Sequence, residues 1–115
     1  MRKIGFDASL RDLQVYIKEV EEQRGFAKET ALEKCLLLGE EVGELFKAVR
    51  LKVGLGTDAQ SGTHDVSMEL ADVLSFVVAI ANRFEVDLAV AFEAKEKINS
   101  RRTWSAGAPL PRLDR

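Results

Sequence analysis

The sequence runs for most of its length without a proline, since Pro109 and Pro111 both lie close to its C-terminus. Along this stretch apolar residues recur at helical spacing, and no strand-like alternation appears between hairpin-type turns. The pattern predicts an all-α, four-helix bundle-like domain. The predicted helices cover about residues 9–24, 30–52, 66–84 and 87–102.

Helix-capping residues mark where three of these helices begin. Ser9 and Asp12, like Thr30 and Glu33, have the spacing of a capping box, in which a hydroxyl and a carboxylate each accept a backbone N–H. Asp87 has the position of a further N-cap. We expect residues 1–104 to form one domain and residues 105–115, which have a poor helix composition, to form a loose tail.

Composition limits what the chain can bind. Its 115 residues carry a formal net charge of −2, with a pI near 5.5, and the basic residues are scattered. Such a chain has no basic field for a nucleic-acid backbone, so we expect no nucleic-acid partner. The longest apolar run, FVVAIA, is far too short to cross a membrane. Together with a single cysteine and a polar N-terminus, this predicts a soluble, cytoplasmic protein.

Three acids interrupt a stretch that is otherwise rich in leucine, LLLGEEVGELFKAV, at residues 36–49. On a helix, Glu40, Glu41 and Glu44 fall within one arc of roughly 100°. Leu37 and Ala48 point into the same arc, which argues against a purely solvent-facing side. For this helix taken alone, a solvated acidic face stays open as the alternative.

The third predicted helix is apolar nearly all round, VSMELADVLSFVVAIA, yet it contains Glu69 and Asp72. These acids are i, i+3 neighbours and project from one stripe. Because isolated carboxylates are costly to bury, the pairs Glu41 with Glu44 and Glu69 with Asp72 favour an all-oxygen site for Mg²⁺ or Mn²⁺. So apolar a helix also predicts a homo-oligomer, because four short helices cannot easily enclose it.

Two other interpretations of the acids stay open. In the first, basic residues neutralise the acids through salt bridges, and the candidates are Lys34, Lys47, Arg50 and Arg83. A di-iron bundle would need Glu-x-x-His pairs, whereas the only histidine, His64, lies in a polar loop.

The fourth predicted helix carries a basic stripe. Lys95, Asn99 and Arg102 recur at i, i+4 and i+7, where they would bind phosphate oxygens or simply favour the helix dipole. Three aromatic residues offer either stacking surfaces for a nucleobase or side chains for the core: Phe26, Phe76 and Trp104.

The motif series GEEVGEL, ELADVL and VDL, followed by K-x-x-x-N-x-x-R, resembles the MazG-like all-α nucleoside triphosphate pyrophosphohydrolases. Their pattern is E-E-x-x-E followed by E-x-x-D. The segment ELADVLSFVVAIANRFEVDL is most similar to the dCTP pyrophosphatase branch. The resemblance implies Mg²⁺-dependent hydrolysis between the α- and β-phosphates of a nucleoside triphosphate, giving a monophosphate and pyrophosphate.

The resemblance also implies roles for individual residues. Four acids match the metal ligands of the family: Glu41, Glu44, Glu69 and Asp72. Glu40 matches the acid that would orient or deprotonate the attacking water. The phosphate-side and sugar-side positions match Lys95, Asn99 and Arg102. Phe76 matches an aromatic on the base side, and Phe26 stands where the dCTP branch typically has tryptophan. The resemblance further implies a homodimer or a dimer-of-dimers tetramer, with sites completed between subunits.

A non-enzymatic interpretation remains beside this one. The chain would then be a helical dimerisation or regulatory module that binds nucleotide without cleaving it, or binds only a partner helix. A purely structural bundle has no use for four inward acids, so metal binding would separate that version from an enzyme. Measured turnover would separate an enzyme from a module that binds nucleotide without cleaving it.

Overall fold

The computed structural model describes residues 3–55 and 65–102, which form four helices and no strand. The helices are α1 (Leu10–Arg24), α2 (Ala31–Lys52), α3 (Val66–Arg83) and α4 (Leu88–Arg101). The predicted all-α fold and its helix bounds are therefore confirmed to within about a residue at each end. His64, Trp104 and the predicted tail at residues 105–115 lie outside the described residues.

The predicted capping boxes open α1 and α2. The backbone N–H of Asp12 donates to Ser9 Oγ over 3.1 Å, and the N–H of Ser9 donates back to Asp12 Oδ2 over 3.0 Å. Thr30 and Glu33 exchange the same two bonds at the start of α2. Asp87 accepts from the N–H of Val90 over 3.1 Å and opens α4. Local sequence thus fixes where these helices begin.

The core lies where α3 packs against α1 and α2. The α2–α3 contact is the most extensive, α1 lies across α3, and α4 packs mainly against α1. Five buried apolar residues form this core: Val20, Ala48, Val78, Ala79 and Ala81. All of them come from α1, α2 and α3, so α4 adds no buried residue to the core.

A buried ion network joins α1, α2 and α3. Arg83 on α3 forms a bidentate pair with Glu21 on α1, over 2.8 and 2.9 Å. Lys34 on α2 lies 3.1 Å from the same carboxylate and 3.0 Å from Glu29. Burial raises the pKa of Glu21, but hydrogen bonds from Arg83 and Lys34 outweigh it, so the pKa is lowered overall. Glu21 is therefore charged at neutral pH.

Arg83 also shapes the turn between α1 and α2. Its guanidinium donates to the backbone carbonyls of Glu29, over 2.7 Å, and Phe26, over 3.1 Å. One side chain at the end of α3 thereby holds the segment that connects the first two helices. The position of Phe26 follows from this contact.

The contact between α1 and the α3–α4 turn is polar. Gln14 and Asn82 exchange two hydrogen bonds of 2.9 and 3.0 Å, and Gln14 accepts the N–H of Leu88 at the start of α4. An exposed ion pair of 2.7 Å joins Arg11 to Asp87. Helix α4 is thus attached to α1 by hydrogen bonds rather than by apolar burial.

Helix α3 is not enclosed by the single chain, as expected for so apolar a helix in a domain of four short helices. Four of its large apolar residues are exposed: Met68, Leu70, Leu74 and Val77. The reason is geometric, since α1 and α2 cover only part of the circumference of α3 and α4 lies elsewhere. No helix in residues 3–55 and 65–102 has both the length and the apolar character needed to cross a membrane.

Replacing Arg83 by methionine should destabilise the protein strongly, because buried Glu21 would keep only Lys34 as a partner. Breaking a buried ion pair by removing one member typically costs about 3–5 kcal/mol. Urea denaturation at pH 7 should show a loss of this order in the free energy of unfolding.

The matched control is Arg11→Met, which removes an exposed pair to Asp87 and should leave the denaturation midpoint nearly unchanged.

The pH dependence of stability gives a second check. Because folding lowers the pKa of Glu21, its stabilisation is present above the pKa of an unfolded glutamate and disappears as the pH falls through the folded value. The difference in free energy of unfolding between wild type and Arg83→Met should therefore become smaller in acid. If Arg83→Met and Arg11→Met lost equal stability at pH 7, burial of the Glu21 pair would not matter for its contribution.

Candidate metal centre

Three carboxylates from two helices meet at one point. Glu41 on α2 and the i, i+3 pair of Glu69 and Asp72 on α3 each offer an oxygen atom, and these atoms all lie within 4.8 Å of one another. Glu41 and Glu69 are half-buried and Asp72 is exposed. The α2–α3 packing brings the acids together, because their two helices form the most extensive contact in the protein.

The carboxylates repel one another. The pKa of Glu41 is raised, first by burial and then by the charges of Asp72, Glu69, Glu44 and Glu40. A raised pKa means that the negative charge at this point is held at a cost. A cation bound here would lower that cost.

The chemistry of the donors fits a hard divalent cation. Carboxylate oxygens are the ligands that Mg²⁺ and Mn²⁺ prefer, and a site open to solvent lets the cation keep water ligands. Lys34 and Arg83 do not form salt bridges with these three acids, because their carboxylate partners are Glu21 and Glu29. Arg50 donates to the backbone carbonyl of Leu55.

The predicted set of four ligands is only partly brought together. Glu44 is exposed and lies outside the group of three, although its charge contributes to the raised pKa of Glu41. Glu40, the predicted catalytic acid, is also exposed and adds a smaller electrostatic effect. Both roles therefore stay predictions.

A cavity of about 360 Å³ lies beside the acids, within the usual range for small-molecule sites. Asp72 is at its edge, and both predicted base-side aromatics, Phe26 and Phe76, line it. The ammonium of Lys34 lies 5.2 Å from the centre of the Phe26 ring and 5.4 Å from that of Phe76. The structure thus places the two predicted aromatics on one cavity that reaches Asp72 of the acidic group.

The predicted phosphate-binding residues are not part of this cavity. Lys95 and Asn99 lie on α4, and Arg102 caps it, whereas the described residues of the cavity wall come from α1, α2, α3 and the α1–α2 turn. The side-chain oxygen of Asn99 is buried without a hydrogen-bond partner among the described residues. The basic stripe thus lies on a helix that packs mainly against α1 and outside the wall of this cavity.

Sequence reasoning missed Glu21 as a residue of the cavity wall and considered Lys34 only as a salt-bridge candidate. A signal was present, because Glu21 follows Ile17 by four positions and so continues the apolar face of α1. An acid at such a position needs a buried cation. The sequence does not show which cation, since Arg83 is 62 residues away.

An all-α domain that gathers carboxylates from two helices beside an aromatic cavity falls in the class of helical proteins equipped to bind a hard divalent cation and an organic ligand together. The chain belongs to the family of the MazG nucleotide pyrophosphohydrolase domain, whose model matches residues 28–105. No curated protein matches the chain.

Membership in this family supports a nucleotide pyrophosphohydrolase, which is a hydrolase acting on phosphoric anhydrides. Enzymes of the family typically depend on a divalent metal, in agreement with the acidic cluster. The match includes all three clustered carboxylates but begins after Phe26. Helix α1 and its Glu21 thus lie outside the matched segment.

Millimolar Mg²⁺ or Mn²⁺ should raise the melting temperature at pH 8 relative to the protein in EDTA, because the ligand binds only the folded state. The raised pKa of Glu41 determines how the stabilisation by metal changes with pH. Its charge opposes folding above the raised value and ceases to do so below the pKa of an unfolded glutamate, so the metal effect should shrink as the pH falls. Scanning calorimetry would measure both.

Glu41→Gln provides the test variant, since it removes one charge at nearly constant volume. Without metal it should melt no lower than wild type, and its response to metal should be small. Glu96→Gln, an exposed acid on α4, is the control and should respond like wild type. Identical melting curves of the wild type in EDTA and in metal would contradict the site.

Proposed function

We propose that this protein is a cytoplasmic, Mg²⁺-dependent nucleotide pyrophosphohydrolase that cleaves (deoxy)nucleoside triphosphates to monophosphate and pyrophosphate, for house-cleaning or control of the nucleotide pool. The observation that carries the proposal is the group of three carboxylates beside an aromatic cavity in a MazG domain. The carboxylates suit the metal-bound polyphosphate and the cavity suits the base. Mn²⁺ is an alternative cation for the same ligands.

Glu41, Glu69 and Asp72 would hold the cation, with Glu44 as a further ligand or a nearby charge. A divalent cation in such a site screens the charge of the phosphate oxygens and polarises water. Holding these acids on two packed helices keeps them in position before substrate arrives, which is how preorganised sites stabilise developing charge.

Glu40 is the candidate for handling the attacking water. It is exposed on α2, and its charge contributes to the raised pKa of Glu41, which supports a position near the carboxylate group. The water oxygen would bond to phosphorus while the P–O bond between the α- and β-phosphates breaks, and the Glu40 carboxylate would take the proton. Pyrophosphate leaves and the nucleoside monophosphate remains.

A second copy of the chain would complete the site. Exposed apolar residues on α3 support an oligomer, and so does the position of α4, which carries Lys95 and Asn99 but packs mainly against α1 rather than against the two helices of the acids. In a homodimer or a dimer-of-dimers tetramer, α4 of one subunit would bring these residues and Arg102 to the phosphates on its neighbour. The buried, unpartnered oxygen of Asn99 supports a ligand or contact beyond the described residues.

Turnover and binding should separate the acids by role. Asp72→Asn removes a charged ligand, so metal affinity and pyrophosphate release should both fall. Glu40→Gln should leave the binding of metal and of a non-hydrolysable nucleotide nearly intact while it lowers turnover by about 10²-fold or more. Calorimetry and a pyrophosphate-release assay would measure the two quantities, with Glu96→Gln as the control.

The outcome also decides between an enzyme and a binding module. Pyrophosphate, and not phosphate, is the expected product from wild-type protein. A wild-type protein that binds nucleotide with metal but releases neither product would support the non-catalytic nucleotide-binding or regulatory alternative. Wild-type turnover in Glu40→Gln would exclude Glu40 as the group that handles water.

Completion of the site between subunits should allow complementation. Asp72→Asn and Lys95→Met should each be nearly inactive alone, and a mixture refolded together should regain activity, because a mixed oligomer contains one intact site. Light scattering at micromolar concentration should give at least a dimeric mass. A monomeric mass, or no gain on mixing, would contradict this arrangement.

A further inference from the structure

Lys34 is a buried lysine on the wall of the cavity. It is only 4% exposed, and it contacts the carboxylates of Glu21 and Glu29 as well as the faces of Phe26 and Phe76. A lysine is rarely buried unless its charge is paired. The groups that already pair with the Lys34 ammonium therefore determine which ligand group it is able to bind.

The charges around Lys34 are already balanced. Two acids, Glu21 and Glu29, face two bases, Lys34 and Arg83, and the pKa of Glu21 is lowered and that of Arg83 raised by their contact. A negatively charged ligand group would approach the two carboxylates and disturb this balance. The network is therefore unsuited to binding a phosphate and suited to binding a neutral hydrogen-bond acceptor.

The ammonium has one donor to offer such an acceptor. Lysine carries three N–H donors, and within the described part of the chain the acceptors recorded for Lys34 are Glu21 and Glu29. The same nitrogen lies beside two aromatic rings on the cavity wall. A planar ring that stacks on Phe26 or Phe76 would bring its polar edge next to this donor.

We propose that Lys34 is a specificity-determining residue that selects nucleobases bearing a carbonyl oxygen on the edge that enters the cavity. This inference rests on the proposed function, because it requires the cavity to hold the base of a nucleotide. A carbonyl oxygen accepts the third N–H of Lys34. An exocyclic amino group at the same place presents its own hydrogens to the ammonium and leaves a buried donor unpaired, which is costly.

Inosine and adenosine triphosphates form a matched pair for the test, because they differ chiefly in a carbonyl or an amino group at position 6 of the purine. Wild-type protein with Mg²⁺ should cleave inosine triphosphate with a kcat/KM at least about tenfold higher than adenosine triphosphate. The same preference should appear in equilibrium binding of the two monophosphates, measured by calorimetry.

The variant Glu29→Gln/Lys34→Met removes the donor while keeping the network neutral, since Glu21 still pairs with Arg83. Its preference between the two bases should fall to within about threefold. Lys47→Met, an exposed lysine on the same helix, is the control and should keep the wild-type preference. Circular dichroism and a thermal melt would establish that each variant is folded.

The outcomes separate this inference from the function on which it rests. Equal kcat/KM and equal affinity for the two bases in wild-type protein would overturn the role of Lys34 while leaving a pyrophosphohydrolase intact. A preference that persists in the folded double variant would overturn it as well. A protein that neither cleaves nor binds any of these nucleotides would overturn the proposed function, and the base selection with it.

Discussion

The bidentate pair between Arg83 and Glu21 is the interaction on which the rest of the structure depends. It joins α1 to α3, and the remaining donors of the same guanidinium hold the turn that leads into α2. Lys34 then connects α2 to the same carboxylate. Because a buried ion pair contributes little net stability compared with apolar packing, its main effect is to fix one arrangement of the three helices.

Two groups of charges lie on neighbouring parts of this arrangement and differ in one respect. The group around Glu21 is neutral overall and its members pair with one another. The group around Glu41 is acidic, and the charges of its other members help to raise the pKa of Glu41. The first lines the cavity beside the aromatic residues, and the second has the donor chemistry that suits a hard divalent cation. Phe76 lies between the two on α3, four residues from Asp72 and seven from Arg83.

The sequence predicts those features that depend on near neighbours. Ser9, Thr30 and Asp87 identify helix starts because a cap involves residues only two or three positions away. Glu69 and Asp72 were expected on one stripe for the same reason. The partner of Glu21 could not be predicted, since Arg83 is distant in sequence and other lysines and arginines were equally available. The incomplete burial of α3 agrees with the expectation that four short helices cannot enclose it, but composition does not reveal which of its residues, such as Met68, stay exposed.

The attachment of α4 has a consequence for the order in which parts of the protein open. Helix α4 buries no residue, and its contacts with α1 are hydrogen bonds and an exposed ion pair. Its amide hydrogens would exchange with solvent through a local opening that leaves the Glu21–Arg83 pair and the three carboxylates in place. Helix α4 is thus held by a weaker set of contacts than α2 and α3. A small movement of this one helix would leave the three carboxylates of α2 and α3 where they are.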